Sequence, residues 1–170
     1  VADVPIMYLP WIRFPVDSRR KTGLLFPDIG SDTRGGIDIT APVYFNLAPN
    51  YDLLYRPRYI QERGFLHQGK FRWLSEKVGY WELDGGWIGD DSKYEDEFPR
   101  DDGSRWLVGA KHNGRFGDHW HTRINYTRVS DTEYLRDLNN SNLSAQRETA
   151  LQQLARLAWI NDQWRVTLDF

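Results

Sequence analysis

The sequence predicts an all-β fold, the N-terminal part of a large antiparallel transmembrane β-barrel with meander topology. Three observations predict it. Apolar and polar residues alternate over long runs, which is the pattern of a strand with one face in an apolar medium and the other in a polar one. Short and long connections alternate along the chain, as in barrels with tight turns at one rim and long loops at the other. The chain carries 8 Trp and 9 Tyr, and aromatics are 15% of residues, which suits belts at two membrane–water interfaces. Low mean hydropathy does not oppose this, because only alternate residues of a barrel strand meet lipid.

Composition narrows the function classes. The 170 residues fit one domain. Basic and acidic residues number 22 and 24, net −2, which argues against a nucleic-acid partner. Without cysteine there is no disulfide, iron–sulfur or thiolate-zinc chemistry in this stretch. No apolar run approaches the roughly 20 residues of a membrane helix, and no signal peptide opens the chain.

Residues 1–20 differ from the rest. Val4 to Pro15 is apolar and interrupted by Pro5, Pro10 and Pro15, a density that excludes a helix or a central strand. It reads as short edge strands closing a domain that begins upstream, then a stiff connector. Asp17 to Lys21 is a polar hinge whose basic cluster is a solvated linker or a contact for anionic headgroups.

A first strand runs from Thr22 to Ile29 with Pro27 in its second half, and Ser31 to Gly35 turns it. The second strand, from Gly36, sets Ile37, Ile39, Ala41, Val43, Phe45 and Leu47 against Asp38, Thr40, Pro42, Tyr44, Asn46 and Ala48. Pro42 stands where a ladder hydrogen bond belongs, so it marks an edge or a weak seam. After Ala48-Pro49-Asn50 the pattern restarts as Tyr51, Leu53, Tyr55, Pro57 and Tyr59, completing a hairpin.

A fourth strand covers Phe65 to Leu74, with Phe65, Phe71 and Trp73 opposite Gln68, Lys70 and Arg72. A fifth sets Trp81, Leu83 and Trp87 against Tyr80, Glu82 and Asp84. Asp90 to Ser104 is an acidic, solvated loop. The sixth strand shows Trp106, Val108 and Ala110, with a Gly-rich turn from His112 to Asp118. The seventh sets Trp120, Thr122, Ile124 and Tyr126 against His119, His121, Arg123 and Asn125. Ser130 to Gln146 is a long polar loop. Residues 148–160 carry helix-forming composition, but Asn161-Asp162 reads as a hairpin turn into Trp164, Val166, Leu168 and Phe170, so 148–160 is assigned as a strand.

Several motifs resemble the LptD family of outer-membrane lipopolysaccharide-assembly proteins. They are Val4-Pro5-Ile6, Tyr8-Leu9-Pro10, Arg19 to Gly23, Phe45 to Asp52, Pro57-Arg58-Tyr59, Arg63-Gly64, Phe71 to Leu74, Tyr94 to Glu97, Arg105-Trp106-Leu107 and Val129-Ser130-Asp131. The Ala48-Pro49-Asn50 turn and the acidic Tyr94 loop are specific together. The resemblance implies a periplasmic jelly roll followed by a very large barrel plugged by the lipoprotein LptE, with LptA meeting the jelly roll. Lipopolysaccharide climbs the jelly roll. Its lipid part leaves through a lateral gate between first and last strands, while its sugar crosses the lumen.

By this resemblance residues 1–20 end the jelly roll and form the hinge, and residues 21–170 are the first barrel strands. Closure of the barrel and the family's disulfide cysteines lie elsewhere. Pro27 and Pro42, with Leu25 and Phe26, take the places of the gate. Tyr8, Pro10, Pro15, Arg19 and Arg20 form the hinge that admits lipid. Ile37, Ile39, Val43, Phe45, Leu47, Tyr55 and Phe71 face outer-membrane lipid, with the N-terminal residues in the periplasm.

Other chemistry is weaker. The acidic loop lacks EF-hand spacing, so no cofactor is expected and divalent cations enter only as lipopolysaccharide counter-ions. His119 and His121 lack a third metal ligand. Glu82 and Asp84 lack any glycosidase signature, and no enzyme is expected. The alternatives are a soluble Trp-rich carbohydrate-binding β-sandwich, whose apolar rows would face a second sheet, and a passive porin.

Overall fold

The computed structural model describes residues 20–32, 35–99, 103–138, 151 and 153–170. They form one antiparallel sheet. Its strands are β1 (Gly23–Leu24), β2 (Asp28–Asp32), β3 (Gly36–Thr40), β4 (Val43–Ala48), β5 (Tyr51–Ile60), β6 (Gly64–Ser75), β7 (Gly79–Ile88), β8 (Arg105–Phe116), β9 (Trp120–Val129), β10 (Gln153–Ile160) and β11 (Arg165–Asp169). From β4 to β11 each strand pairs with the next in sequence. The two leading strands are each split: β1 lies on β4 and β2 on β3, while β3 and β4 both lie on β5.

Register places the two kinds of residue on opposite faces. Phe45, Leu53, Phe71, Leu83, Ala110 and Tyr126 stand in one row across the sheet. Asp52 and Arg72 share a row on the other face, as do Lys70 and Asp84. Among the described residues no second sheet covers the apolar face. Leu83 is 43% exposed, Trp87 51% and Phe65 60%. A sandwich would have buried these rows. The apolar face also carries His67 and His112, and both are satisfied. The Tyr55 hydroxyl lies 2.7 Å from His67 Nδ1. His112 bonds the Tyr80 carbonyl and the Thr122 hydroxyl, and stacks on Trp81.

The connections sort by rim. Those at β4–β5, β6–β7, β8–β9 and β10–β11 are tight and share one rim. At the β6–β7 turn Gly79 has φ 79°, and a Cβ there would sit 2.4 Å from the Asn113 carbonyl oxygen, so only glycine fits. The two long connections, after β7 and after β9, leave the opposite rim.

Several boundaries differ from those the sequence predicts. The first strand breaks at Leu25–Pro27 and continues through Asp32, so Ser31 belongs to a strand and not to the turn. The second is two strands separated by Ala41–Pro42. His112 to Phe116 extends β8 rather than turning, because β9 pairs it through Phe116 and β7 pairs it as far as Asn113. Of residues 148–160, Gln153–Ile160 form a strand as expected, while 148–150 and 152 lie outside the described residues. The long loops contain one-turn helices, α1 (Ser92–Glu97) and α2 (Tyr134–Leu138). No helix among the described residues is long and apolar enough to cross a membrane.

Leu83→Arg on the apolar wall is expected to cost about 2–4 kcal/mol in a bilayer. Asn125→Arg on the polar wall is expected to cost far less. Urea unfolding of the full-length protein in lipid vesicles measures the difference.

Candidate functional site

The leading edge of the sheet is built around three prolines. Between paired Leu24 and Asp28 lie Leu25, Phe26 and Pro27, while between their partners Val43 and Thr40 lie only Pro42 and Ala41. The first strand therefore carries one extra residue, a β-bulge opposite Ala41. Leu25 N–H donates to the Pro42 carbonyl at 2.8 Å. In a regular antiparallel pair the partner would return the bond, but proline has no N–H. One strand further in, Ala41 N–H donates to the Pro57 carbonyl at 3.1 Å, and again no bond returns. Pro27, Pro42 and Pro57 thus line up across three strands, each removing a donor near the same level.

The two faulty pairings differ in their side-chain support. Across β3 and β5, Arg58 Nε donates to both Asp38 carboxylate oxygens at 2.9 Å, immediately beside Pro57. The first strand is tied mainly at its start. Asn46 donates its backbone N–H to Thr22 Oγ1 and its Nδ2 to the Arg20 carbonyl. Arg20 also reaches Asp52, which holds Arg72 and accepts from Tyr44. Leu25 and Phe26 are exposed apolar residues beyond that anchor, with Phe26 74% exposed.

The register puts Ile37, Ile39, Val43, Phe45, Tyr55 and Phe71 on the single apolar face. Leu47 sits in the irregular step between Asn46 and Ala48 and is exposed. Tyr8, Pro10, Pro15 and Arg19 lie outside the described residues. Arg20 is exposed apart from its contact with Asp52.

At the long-loop rim, a second cluster closes on the polar face. Ile60, Leu66, Ile88 and Leu107 interrupt its polar rows, and Tyr134 and Leu138 of α2 cover them. Gly86 leaves room for this, since a Cβ there would lie 2.5 Å from the Tyr134 hydroxyl. Burial pushes the Tyr134 phenol up from its ordinary value. The acidic loop is not simply solvated as its composition suggests. Asp91 is fully buried, caps α1 through the Tyr94 N–H, and binds both Arg63 and Arg105. Arg105 also grips Asp131 at 2.7 Å and Asp137 at 3.3 Å, and its guanidinium lies 4.2 Å over the Tyr94 ring. Arg58 adds a bond to the Leu138 carbonyl at 2.9 Å. The whole forms a latch between two loops and the wall.

The polar side chains weighed for chemistry fall into this wall. Glu82 and Asp84 both contact the Lys70 ammonium, at 2.9 and 3.3 Å. The His119 ring lies against Trp159 and the Ile160 carbonyl. Among the described residues no three His, Asp or Glu side chains gather as metal ligands would.

The family model described as LPS transport system D matches residues 103–170, which extends past the last of the sequence motifs. The chain is 38% identical over 168 residues to the LPS-assembly protein LptD of Aliivibrio fischeri, covering 99% of this chain. It is 42% identical over 161 residues to that of Hahella chejuensis, and 43% over 141 residues to that of Acinetobacter baylyi, covering 94% and 83% of this chain. The chain belongs to the LptD family. It spans about one fifth of the length of these relatives, 20% of the first two and 16% of the third.

Two features of this LptD-family segment escape a reading by periodicity. Pro57 fits the alternation of its strand, and only the even spacing of prolines 27, 42 and 57 hints at its alignment with the others. The latch joins residues far apart in sequence. Its one visible sign is the apolar set Ile60, Leu66, Ile88 and Leu107 on rows that are otherwise polar.

Arg105→Ala is expected to cost about 3–5 kcal/mol, because three carboxylates lose their shared cation in a buried site. Burial alone would raise the Asp131 carboxyl, but bonds from Arg105 and Ser130 and the guanidinium charge outweigh it and hold the group below its ordinary 3.8. A depressed folded value adds stability above the unfolded value and loses it as pH falls through the folded one. The latch is therefore expected to be intact at neutral pH and to loosen only below about pH 3.8. Protease cleavage within 89–104 and 130–138, followed against pH in wild type and Arg105→Ala, measures both effects.

Proposed function

We propose that this chain is the opening side of an outer-membrane barrel that transports lipopolysaccharide and inserts it into the outer leaflet. The observation that carries the reading is the Phe26–Pro27 bulge facing Ala41, where Pro42 cannot return the bond of Leu25. In lipid an unpaired backbone group costs several kcal/mol, so a barrel seam is ordinarily permanent. Donors missing at one level lower the cost of parting there and nowhere else.

A bulky amphiphile needs such a gate. Drawing its acyl chains through a polar lumen would cost about 0.8 kcal/mol per CH₂. Its sugar suits the polar wall, and its chains suit the apolar face beyond Leu25 and Phe26. Residues 1–20 then close a periplasmic jelly roll and lead lipid to the seam through Tyr8, Pro10, Pro15, Arg19 and Arg20. LptA delivers to that domain, and LptE fills the lumen of the complete barrel. Ile37, Ile39, Val43, Phe45, Leu47, Tyr55 and Phe71 meet membrane lipid. Divalent cations enter only with the lipopolysaccharide.

Pro27→Ala or Pro42→Ala alone is expected to be mild, and the pair to restore donors on both strands and slow delivery. Pro57→Ala is expected to change little, because the Arg58–Asp38 clamp already holds β3 to β5. The test is the rate at which newly made lipopolysaccharide reaches the cell surface, with the full-length protein at matched levels. Unchanged delivery in the Pro27/Pro42 double variant would remove the gate.

A further inference from the structure

The polar wall is not uniformly neutralised. Lys70 contacts Glu82 and Asp84, Arg72 holds Asp52, and Arg58 holds Asp38. Toward β11, near the tight-turn rim, the balance changes. A cavity of about 260 Å³ is lined there by Asn113, His121, Arg123, Arg156, Arg165 and Thr167.

Arg123 lies directly opposite Arg156 in the β9–β10 register. Like charges facing each other across a strand pair are unfavourable without a counter-charge. Asp169, opposite Arg156 on β11, supplies one for Arg156 through two bonds of 2.6 and 2.8 Å. The guanidinium groups of Arg123 and Arg165 make no hydrogen bond or ion pair with any described residue, nor does that of Arg115, which faces His121 at the margin. Three guanidinium groups, of Arg123, Arg156 and Arg165, therefore line the hollow, and only that of Arg156 is already committed to a carboxylate.

We propose that this hollow binds a phosphate group carried by a sugar, gripped by Arg123 and Arg165. The inference rests on the transport reading above for the identity of the sugar. Guanidinium forks match the paired oxygens of a phosphate, and such charge-assisted bonds are the strong ones. The surrounding cationic field raises the local concentration of an anionic headgroup. His121 and Thr167 supply further polar contacts at the lining.

The experiment uses the full-length protein with its partner lipoprotein in detergent, as wild type and as Arg123→Gln/Arg165→Gln. Retention of heat-modifiable migration shows that both barrels are folded. The probes are purified lipopolysaccharide, the same material stripped of phosphate, and inorganic phosphate as competitor. The double variant is expected to bind phosphorylated lipopolysaccharide at least about tenfold more weakly and the stripped material as wild type does. Phosphate that competes in wild type but not in the variant also upholds the site; phosphate that itself binds wild type but not the variant, with no lipopolysaccharide bound to either, assigns the site to free phosphate and overturns the transport reading instead. Equal affinity of both proteins for every probe overturns the site and leaves that reading standing, as does an equal loss for stripped and phosphorylated material.

Discussion

An amide group in hydrocarbon has no water to turn to, and that constraint governs this sheet. From β5 to β9 the ladder is continuous, with partners registered along nearly the whole of each strand. Against such a background, donors absent at Pro27, Pro42 and Pro57 are not scattered imperfections. They fall at one level of three consecutive strands, beside a bulge that already spoils the pairing. The backbone is weak at that level and sound on either side of it.

Side chains decide which of the two faulty pairings is the weaker. Arg58 spans β3 and β5 with a forked contact to Asp38, and its remaining arm reaches the Leu138 carbonyl at the end of α2. The third strand is thereby bound both to the second and to the latched loop. The first strand has its anchor at Thr22 and Arg20, several residues before the bulge, and its exposed Leu25 and Phe26 follow. The same defect in backbone bonding is backed by a charge clamp in one place and by a distant tether in the other. A difference of this kind leaves the pairing of the first strand the less supported of the two.

Much of this was legible in the sequence, for a physical reason. A strand exposed to two media must alternate, and the alternation survives without knowledge of partners; the rows through Phe45, Phe71 and Leu83 follow from it. Strand ends were less legible where composition misled. His112 to Phe116 contains glycine and polar residues that read as a turn, yet β9 pairs its whole length and β7 its first two residues. Helices α1 and α2 are too short to show a period. The ion pairs of the latch were invisible because they join separate segments, and an acidic loop looks the same in sequence whether its carboxylates face water or a buried arginine.

The choice of charge for that latch has a cost and a consequence. Asp91 and Arg105 are almost wholly withdrawn from solvent, and burying such a pair stabilises less than packing hydrophobic residues of like size. Hydrophobic packing is, however, indifferent to partner. An arginine shared by Asp91, Asp131 and Asp137 favours one arrangement of the two loops, since any other takes a cation from a carboxylate withdrawn from solvent. The small apolar cluster under Tyr134 supplies adhesion, and the ionic cluster supplies registry. Because the latch meets the wall at Arg58 as well as at Arg105, the clamped β3–β5 pairing and the latched loop rim share one residue.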